Sequence, residues 1–133
     1  MLKVRRFWKK YILDGRKTQT RRPWRRAPKV GSVHECRPKR NVPGFAWVKI
    51  TRVWKQRLGD VSEAEARAEG FPSRRAMLEH FCLTYAKRRA LGKSREWWEN
   101  VLADVQGRRA PGPEVWAIEF RRVKSPGAKQ PRD

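Results

Sequence analysis

Apolar and polar positions alternate with two different periods along the chain, and each period names a kind of element. Over residues 45–56, Phe45, Trp47, Thr51 and Val53 fall on one parity and Ala46, Val48, Ile50 and Trp54 on the other. Apolar content on both faces suits a long strand bent around a barrel core. Residues 114–122 read as a closing strand with Trp116, Ile118 and Phe120 on one face. Shorter strands are predicted over 2–6, where Leu2 and Val4 alternate with basic residues, and over 32–37. Steps of one, three and four mark helices. Phe7, Trp8, Tyr11 and Ile12 give a short one, stopped at Asp14-Gly15, where glycine can take a left-handed backbone. Ser62-Glu63-Ala64-Glu65 fits a capping box opening a helix over 63–69 that ends at Gly70. Met77, Leu78, Phe81, Cys82 and Tyr85 make one stripe of a helix over 73–91. Trp97, Trp98, Val101, Leu102 and Val105 do the same over 95–105. Strands at both ends around a helical insert predict an α+β fold, a small barrel with peripheral helices. Trp8, Trp47, Trp54, Trp97, Trp98 and Trp116 lie in these periodic segments and are expected in the core.

Two stretches lack core periodicity. Residues 16–23 read as a loop or an exposed extended segment, and residues 23–31, with Pro23, Pro28 and Gly31, as a long basic loop. Residues 123–133 read as a disordered basic tail, which leaves 1–122 as the one domain.

Charge changes the picture more than hydropathy does. The 133 residues hold 34 Lys+Arg against 13 Asp+Glu, a net charge of +21. Residues 1–58 carry 19 basic side chains and two acids, Asp14 and Glu35, for a net of +17; residues 59–133 carry 15 basic and 11 acidic, for +4. Such a field attracts polyanions and speeds their encounter. Arg outnumbers Lys 22 to 12, and guanidinium groups bind phosphate through paired donors and stack on bases. RNA or single-stranded nucleic acid is the expected partner, ahead of an anionic membrane surface. Enhanced solubility and an Arg-favouring genome composition are the alternatives. Arg16, Arg21, Arg22, Arg25, Arg26 and Lys29 are the expected phosphate contacts. Trp24, inside the basic loop, is the candidate for base stacking, against packing on the barrel.

Several classes drop out. No apolar run nears the roughly 18 residues of a membrane span, and no apolar stretch follows the N-terminal charges as in a signal peptide. Cys36 and Cys82 form neither a disulfide framework nor a metal cluster, so reduced thiols and a cytoplasmic setting are expected. His34 and His80 lack neighbours at ligand spacing; neither metal nor cofactor is expected. Gly15-Arg16-Lys17-Thr18 is only a fragment of a phosphate loop, without its upstream glycine.

The segment Gly15–Arg21 packs a lysine, two threonine hydroxyls and two guanidiniums into seven residues. Crowding by Arg16 and Arg21 lowers a lysine pKa, and a neutral lysine can take the proton of a threonine. A basic loop touching phosphate is the plainer alternative. Ile12-Leu13-Asp14-Gly15-Arg16-Lys17-Thr18-Gln19-Thr20-Arg21 resembles the signature of the ASCH domain, whose fold is a PUA-like β-barrel. Lys29-Val30-Gly31-Ser32 resembles the family's next turn, with Ser32 where Asp is common. Leu58–Ser62 through Glu69-Gly70-Phe71 resembles its post-strand helix, and Val115–Phe120 its closing strand, so residues 2–122 are covered in order. The resemblance implies two activities: bacterial members include amidohydrolases that deacetylate 4-acetylcytidine, and one relative is reported as a ribonuclease. The amidohydrolases' proposed lysine, threonine and glutamate carry over to Lys17, Thr20 and Glu69.

Glu69 can be read without the family. It ends a helix, where the dipole is negative, and Glu65 lies four residues back; both favour a protonated general acid. Arg67 and the positive field oppose them, and an exposed helix-end carboxylate is the plain alternative. In a regular strand Lys17 and Thr20 would face opposite sides, so a shared site requires the backbone to turn between them. A neutral nucleoside gains nothing from a strongly positive field, whereas a polymer gains by releasing counterions. Nucleic-acid binding is therefore the expected function. Amidohydrolysis of a modified nucleoside, or ribonuclease activity, is the alternative, and whether the protein is an enzyme stays open.

Overall fold

The computed structural model describes residues 1–125. Strands β1 (Leu2–Lys3), β2 (Gln19–Arg22), β3 (Val33–Arg37), β4 (Ala46–Arg57) and β5 (Glu114–Val123) form one sheet in the order β1-β3-β4-β5-β2. It curls as a half-barrel. β1 runs parallel to β3; the other pairs are antiparallel. The fold class expected from the sequence, α+β with helices around a PUA-like sheet, is the one found.

The long ladder of β4 and β5 resolves the ambiguous pattern of residues 45–56. A register shift lies between Ile50 and Arg52, at Thr51. The extra residue exchanges the parities, so Ala46, Val48 and Ile50 before the bulge share the concave face with Val53 after it. Trp54 is thereby turned to the convex face, opposite Ala117, and Trp47 lies on that face opposite Val123. Trp47 and Trp54 are thus not core residues as expected; both are half-buried on the outside of the sheet.

β1 is shorter than the predicted strand over 2–6. The segment over 16–23, expected as a loop or an exposed extended segment, is extended but not exposed: it contains β2, paired with β5 through Thr20–Ile118 and Arg22–Trp116, with Thr20 and Arg21 buried. The two sheet edges, β1 and β2, are not paired as strands. The Arg22 side chain spans the seam between them, its Nη2 donating to the carbonyl of Lys3 at 2.9 Å.

Four helices follow the sequence expectation closely: α1 (Lys9–Leu13), α2 (Glu63–Ala68), α3 (Arg74–Arg88) and α4 (Arg95–Gln106). Ser62, Ser73 and Ser94 each accept a backbone N–H of the first turn of α2, α3 and α4. Ser62 completes the capping box, its backbone N–H donating to Glu65. Arg74, buried at the start of α3, donates to the carbonyls of Val61, Gly59 and Val105 and ties α2, α3 and α4 together.

Burial is divided between two apolar clusters. Leu2, Val4, Trp8, Ile12, Cys36, Val48, Ile50, Ile118 and Phe120 fill the concave side of the sheet under α1. Leu58, Met77, Leu78, Phe81, Trp98, Val101 and Val105 hold the helices together. Phe71 packs against both clusters. β5 reaches Val123, one residue into the tail expected over 123–133; the expectation for residues 126–133 lies outside the described residues. Among the described residues no helix is long and apolar enough to cross a membrane.

Candidate functional site

A cavity of about 80 Å³ opens where the seam of the half-barrel meets α3. This is several times what one water needs. Val4 and Trp8 line it from the N-terminal segment, Lys17, Thr20, Arg21 and Arg22 from the segment through β2, and Glu69 and Phe71 from the end of α2. Met77, His80, Phe81, Thr84, Tyr85 and Arg88 line it from α3, and Lys3 and Arg5 complete the rim. The cavity thus brings Lys17, Thr20 and Glu69 together.

Local geometry explains how. Lys17 precedes β2, so strand alternation does not govern its direction. Its backbone N–H donates to Tyr11 and that of Thr18 to Ala68, which folds the segment between α1 and α2. At the end of α2, Gly70 adopts φ +101°. A Cβ there would stand 2.7 Å from the Trp8 ring, so only glycine lets Glu69 and Trp8 wall the same cavity.

Lys17 is buried, 4% exposed. Its Nζ donates to the carbonyls of Gln19 (3.0 Å) and Glu69 (2.8 Å) and lies 4.0 Å from the Glu69 carboxylate. Burial pushes its pKa down from 10.5 to about 8; Glu69 opposes this, and Arg22 and Arg21 add to it. The sequence argument reached the right direction by a lesser cause, since desolvation comes first and Arg16 plays no part. Arg16 is exposed, paired with Asp14 at 2.7 Å and stacked over Tyr11 at 4.1 Å. A neutral amine has two N–H donors and one lone pair. Two carbonyls satisfy the donors of neutral Lys17, leaving the lone pair to act as a base.

Thr20 is also buried, and its Oγ1 accepts from Arg22 Nε at 3.0 Å. Arg21 lies on the other face of β2, with Ala117. Its guanidinium donates to Gln56 (2.7 Å), Gln19 (3.1 Å), Glu69 (3.0 Å) and Glu65 (2.6 Å), and its side chain is 0% exposed. Arg21 is therefore not the surface phosphate contact expected from sequence: its donors are committed to two carboxylates. Glu69 is likewise not an exposed helix-end carboxylate. It is 4% exposed and accepts from Arg21, rather than standing free to offer a proton. Glu65 is held below the usual carboxylate range by its hydrogen bonds from Ser62 and Gln56 and by Arg21, against desolvation, the largest single effect.

The remaining expected contacts lie nearby but outside the cavity. Arg25, Arg26 and Lys29 are exposed and have no carboxylate partner among the described residues. Trp24 is 39% exposed, with the Arg22 guanidinium 5.3 Å from its ring centre. Sequence reasoning missed Lys3, Arg5, His80, Thr84 and Arg88. A signal for the last three exists: they recur every four residues, beside the apolar stripe of α3. Trp8, expected as core, is both core and cavity wall, 5.0 Å from Lys17 Nζ. Among the described residues no three His, Cys, Asp or Glu side chains gather as a metal ion would need.

No protein-family model matches the sequence, and no curated protein matches it significantly. Solved structures similar to it include two of bacterial proteins. One is an ASCH domain from Lactobacillus crispatus JV V101, at TM-score 0.66 and 17% identity, covering 87% of this chain and 70% of that one. The other is a DUF984 protein from Enterococcus faecalis V583, at TM-score 0.65 and 19% identity, covering 88% and 67%. The half-barrel and its helices make an ASCH-like fold.

Proposed function

We propose that the protein binds single-stranded RNA on the side of the fold where the cavity opens. One observation carries this reading. Of the 19 Lys and Arg in residues 1–58, five meet a carboxylate among the described residues: Arg16, Lys17, Arg21, Arg37 and Arg57. The other fourteen do not. Unpaired cations of one sign repel one another, and a polyanion that takes up their field relieves that repulsion and releases its own counterions. A concave cavity walled by rings admits an unstacked base of a single strand, which a regular duplex does not offer. Anisotropy titrations with labelled single-stranded RNA, single-stranded DNA and duplex DNA, at about 50 and 200 mM salt, test the reading. Single-stranded RNA should bind tightest and weaken steeply with salt. Absence of RNA binding at the lower salt overturns it.

A second reading rests on a separate observation: Lys17, Thr20 and Glu69 line one cavity, and Lys17 has a pKa near 8. Neutral Lys17 would take the proton of Thr20, whose alkoxide attacks the acetyl carbonyl of 4-acetylcytidine; the bond to the cytosine nitrogen breaks, and water then hydrolyses the acetyl ester on Thr20 to release acetate. Glu69 must first gain a proton to give to the leaving nitrogen, so its pair with Arg21 has to loosen. Loss of a general acid or base costs about 100- to 10,000-fold in rate. Thr20→Ala, which removes the nucleophile, should lose at least that much deacetylation. A wild-type protein without detectable deacetylation removes this reading.

A further inference from the structure

The cavity is not uniformly charged. Its inner charges are matched: Lys17 and Arg21 face Glu69, and Arg21 also meets Glu65. Its rim is not. Lys3, Arg5 and Arg88 are exposed, Arg22 is half-buried, and none of the four forms an ion pair with a carboxylate among the described residues. Arg22 uses Nε on Thr20 and Nη2 on the Lys3 carbonyl, which fixes its fork across the seam while Nη1 has no hydrogen-bond partner among the described residues. Arg88 lies 5.7 Å from the ring centre of Tyr85. The wall behind these cations is apolar and aromatic, built by Val4, Trp8, Phe71, Met77, Phe81 and Tyr85. A flat, weakly polar group fits that wall, and a compact anion fits that rim.

We propose that Lys3, Arg5, Arg22 and Arg88 form a phosphate subsite, so that the cavity takes a phosphorylated nucleotide and discriminates against the neutral nucleoside. This rests on the reading of the protein as a nucleic-acid binder and specifies what enters its cavity. The order of charge supports it. A neutral nucleoside would satisfy the inner groups and leave four cations crowded around an uncharged ligand. A phosphate brings up to two negative charges to a rim that holds four cations and no carboxylate, and guanidinium forks match its oxygens in pairs. Arg5 and Arg88 approach from the N-terminal segment and from the last turn of α3, so the subsite also ties the helical insert to the sheet. The phosphate belongs either to a free mononucleotide or to one residue of an RNA chain, and the two sources are separable by experiment.

Calorimetric titration of the full chain at about 50 mM salt tests this, with four ligand arms. They are the four nucleosides, their 5′-monophosphates, inorganic phosphate, and a single-stranded RNA of ten nucleotides. At least one monophosphate should bind roughly tenfold or more tightly than its nucleoside. Inorganic phosphate should compete with it. In Arg5→Gln/Arg88→Gln that ratio should collapse towards one, with the thermal midpoint as a check that the variant folds. A more conservative Arg88→Lys should keep part of the ratio, since a point charge remains without the fork. Mononucleotide binding together with RNA binding supports a subsite open to both sources. A subsite reserved for a chain residue shows no free-mononucleotide binding, but RNA affinity that falls in the double variant more than in Lys9→Gln/Lys10→Gln, on exposed α1. Equal affinity for nucleoside and monophosphate overturns the subsite, as does RNA binding that both double variants weaken alike; both leave the RNA reading intact. Failure of RNA binding with a clear monophosphate preference overturns the RNA reading and leaves the subsite standing.

Discussion

Burial moves Lys17 from 10.5 to about 8, and the shift makes folding depend on pH. Between those values the unfolded chain still holds the proton while the folded chain has released it. The unfolded state binds more protons, so this residue's contribution to stability rises with pH from about 8 to about 10.5. The thiols of Cys36 and Cys82, pushed up by burial to about 11 and about 12, act in the opposite sense above pH 9. They are common to wild type and Lys17→Met, and Lys17 is only a minor influence on Cys36, so the difference between the two reports chiefly on Lys17. Urea unfolding should show the stability of wild type gaining on that of Lys17→Met by about 3 kcal/mol across the window; a constant difference contradicts it. Arg21 offers a second test. Removing one partner of a buried pair costs about 3–5 kcal/mol. Arg21→Met should lose that much, and the added change Glu69→Gln should recover part of it; a loss under about 1 kcal/mol would mean the pair behaves as a surface one. Neither residue's burial was legible in the sequence, because hydropathy assigns every Arg and Lys to the surface. Only the carboxylates of Glu65 and Glu69, more than forty residues away, make burial of Arg21 tolerable.

At the scale of elements, α2 was legible from its capping box and the glycine that ends it, and α3 and α4 from their apolar stripes. β2 was not, for the same reason that Arg21 was not: its buried positions are Thr20 and Arg21, so it lacks the alternation by which strands are recognised. β4 was legible as a strand but not in its facing, because the bulge at Thr51 divides one apolar face between two parities. Gly70 shows how tightly the elements around the cavity are placed. Gly15 and Gly70 both have positive φ, +82° and +101°, but a Cβ at Gly15 meets nothing within 4 Å, whereas at Gly70 it meets the Trp8 ring. Gly15→Ala should cost only the backbone strain of about 1–2 kcal/mol. Gly70→Ala should cost more, by about 1–3 kcal/mol for overpacking, and should weaken RNA binding as Trp8 is displaced. Thermal denaturation compares them directly; equal losses would show that the Trp8 contact gives way freely.

For the molecule as a whole, the sequence already placed +17 of the charge in residues 1–58. It did not reveal the cavity, because six of its sixteen lining residues come from α3 and two more, Glu69 and Phe71, from the end of α2, all in the second part of the chain. The fourteen unpaired cations make a salt slope the natural signature of binding: each phosphate engaged on a single strand contributes about −0.7 to the slope of log affinity against log salt. Position is the sharper question. Seven tryptophans report on it, and their indole N–H signals are resolvable in a nitrogen-15 labelled protein. Trp8 walls the cavity, Trp24 stands in the basic loop beside it, Trp47 and Trp54 lie on the convex face of the sheet, and Trp98, with its indole donating to Ala90, is locked in the helical core. In a titration with single-stranded RNA, the account predicts that the Trp8 and Trp24 signals move together and that Trp98 stays fixed. Saturable binding in which Trp47 and Trp54 move while Trp8 and Trp24 do not would contradict it.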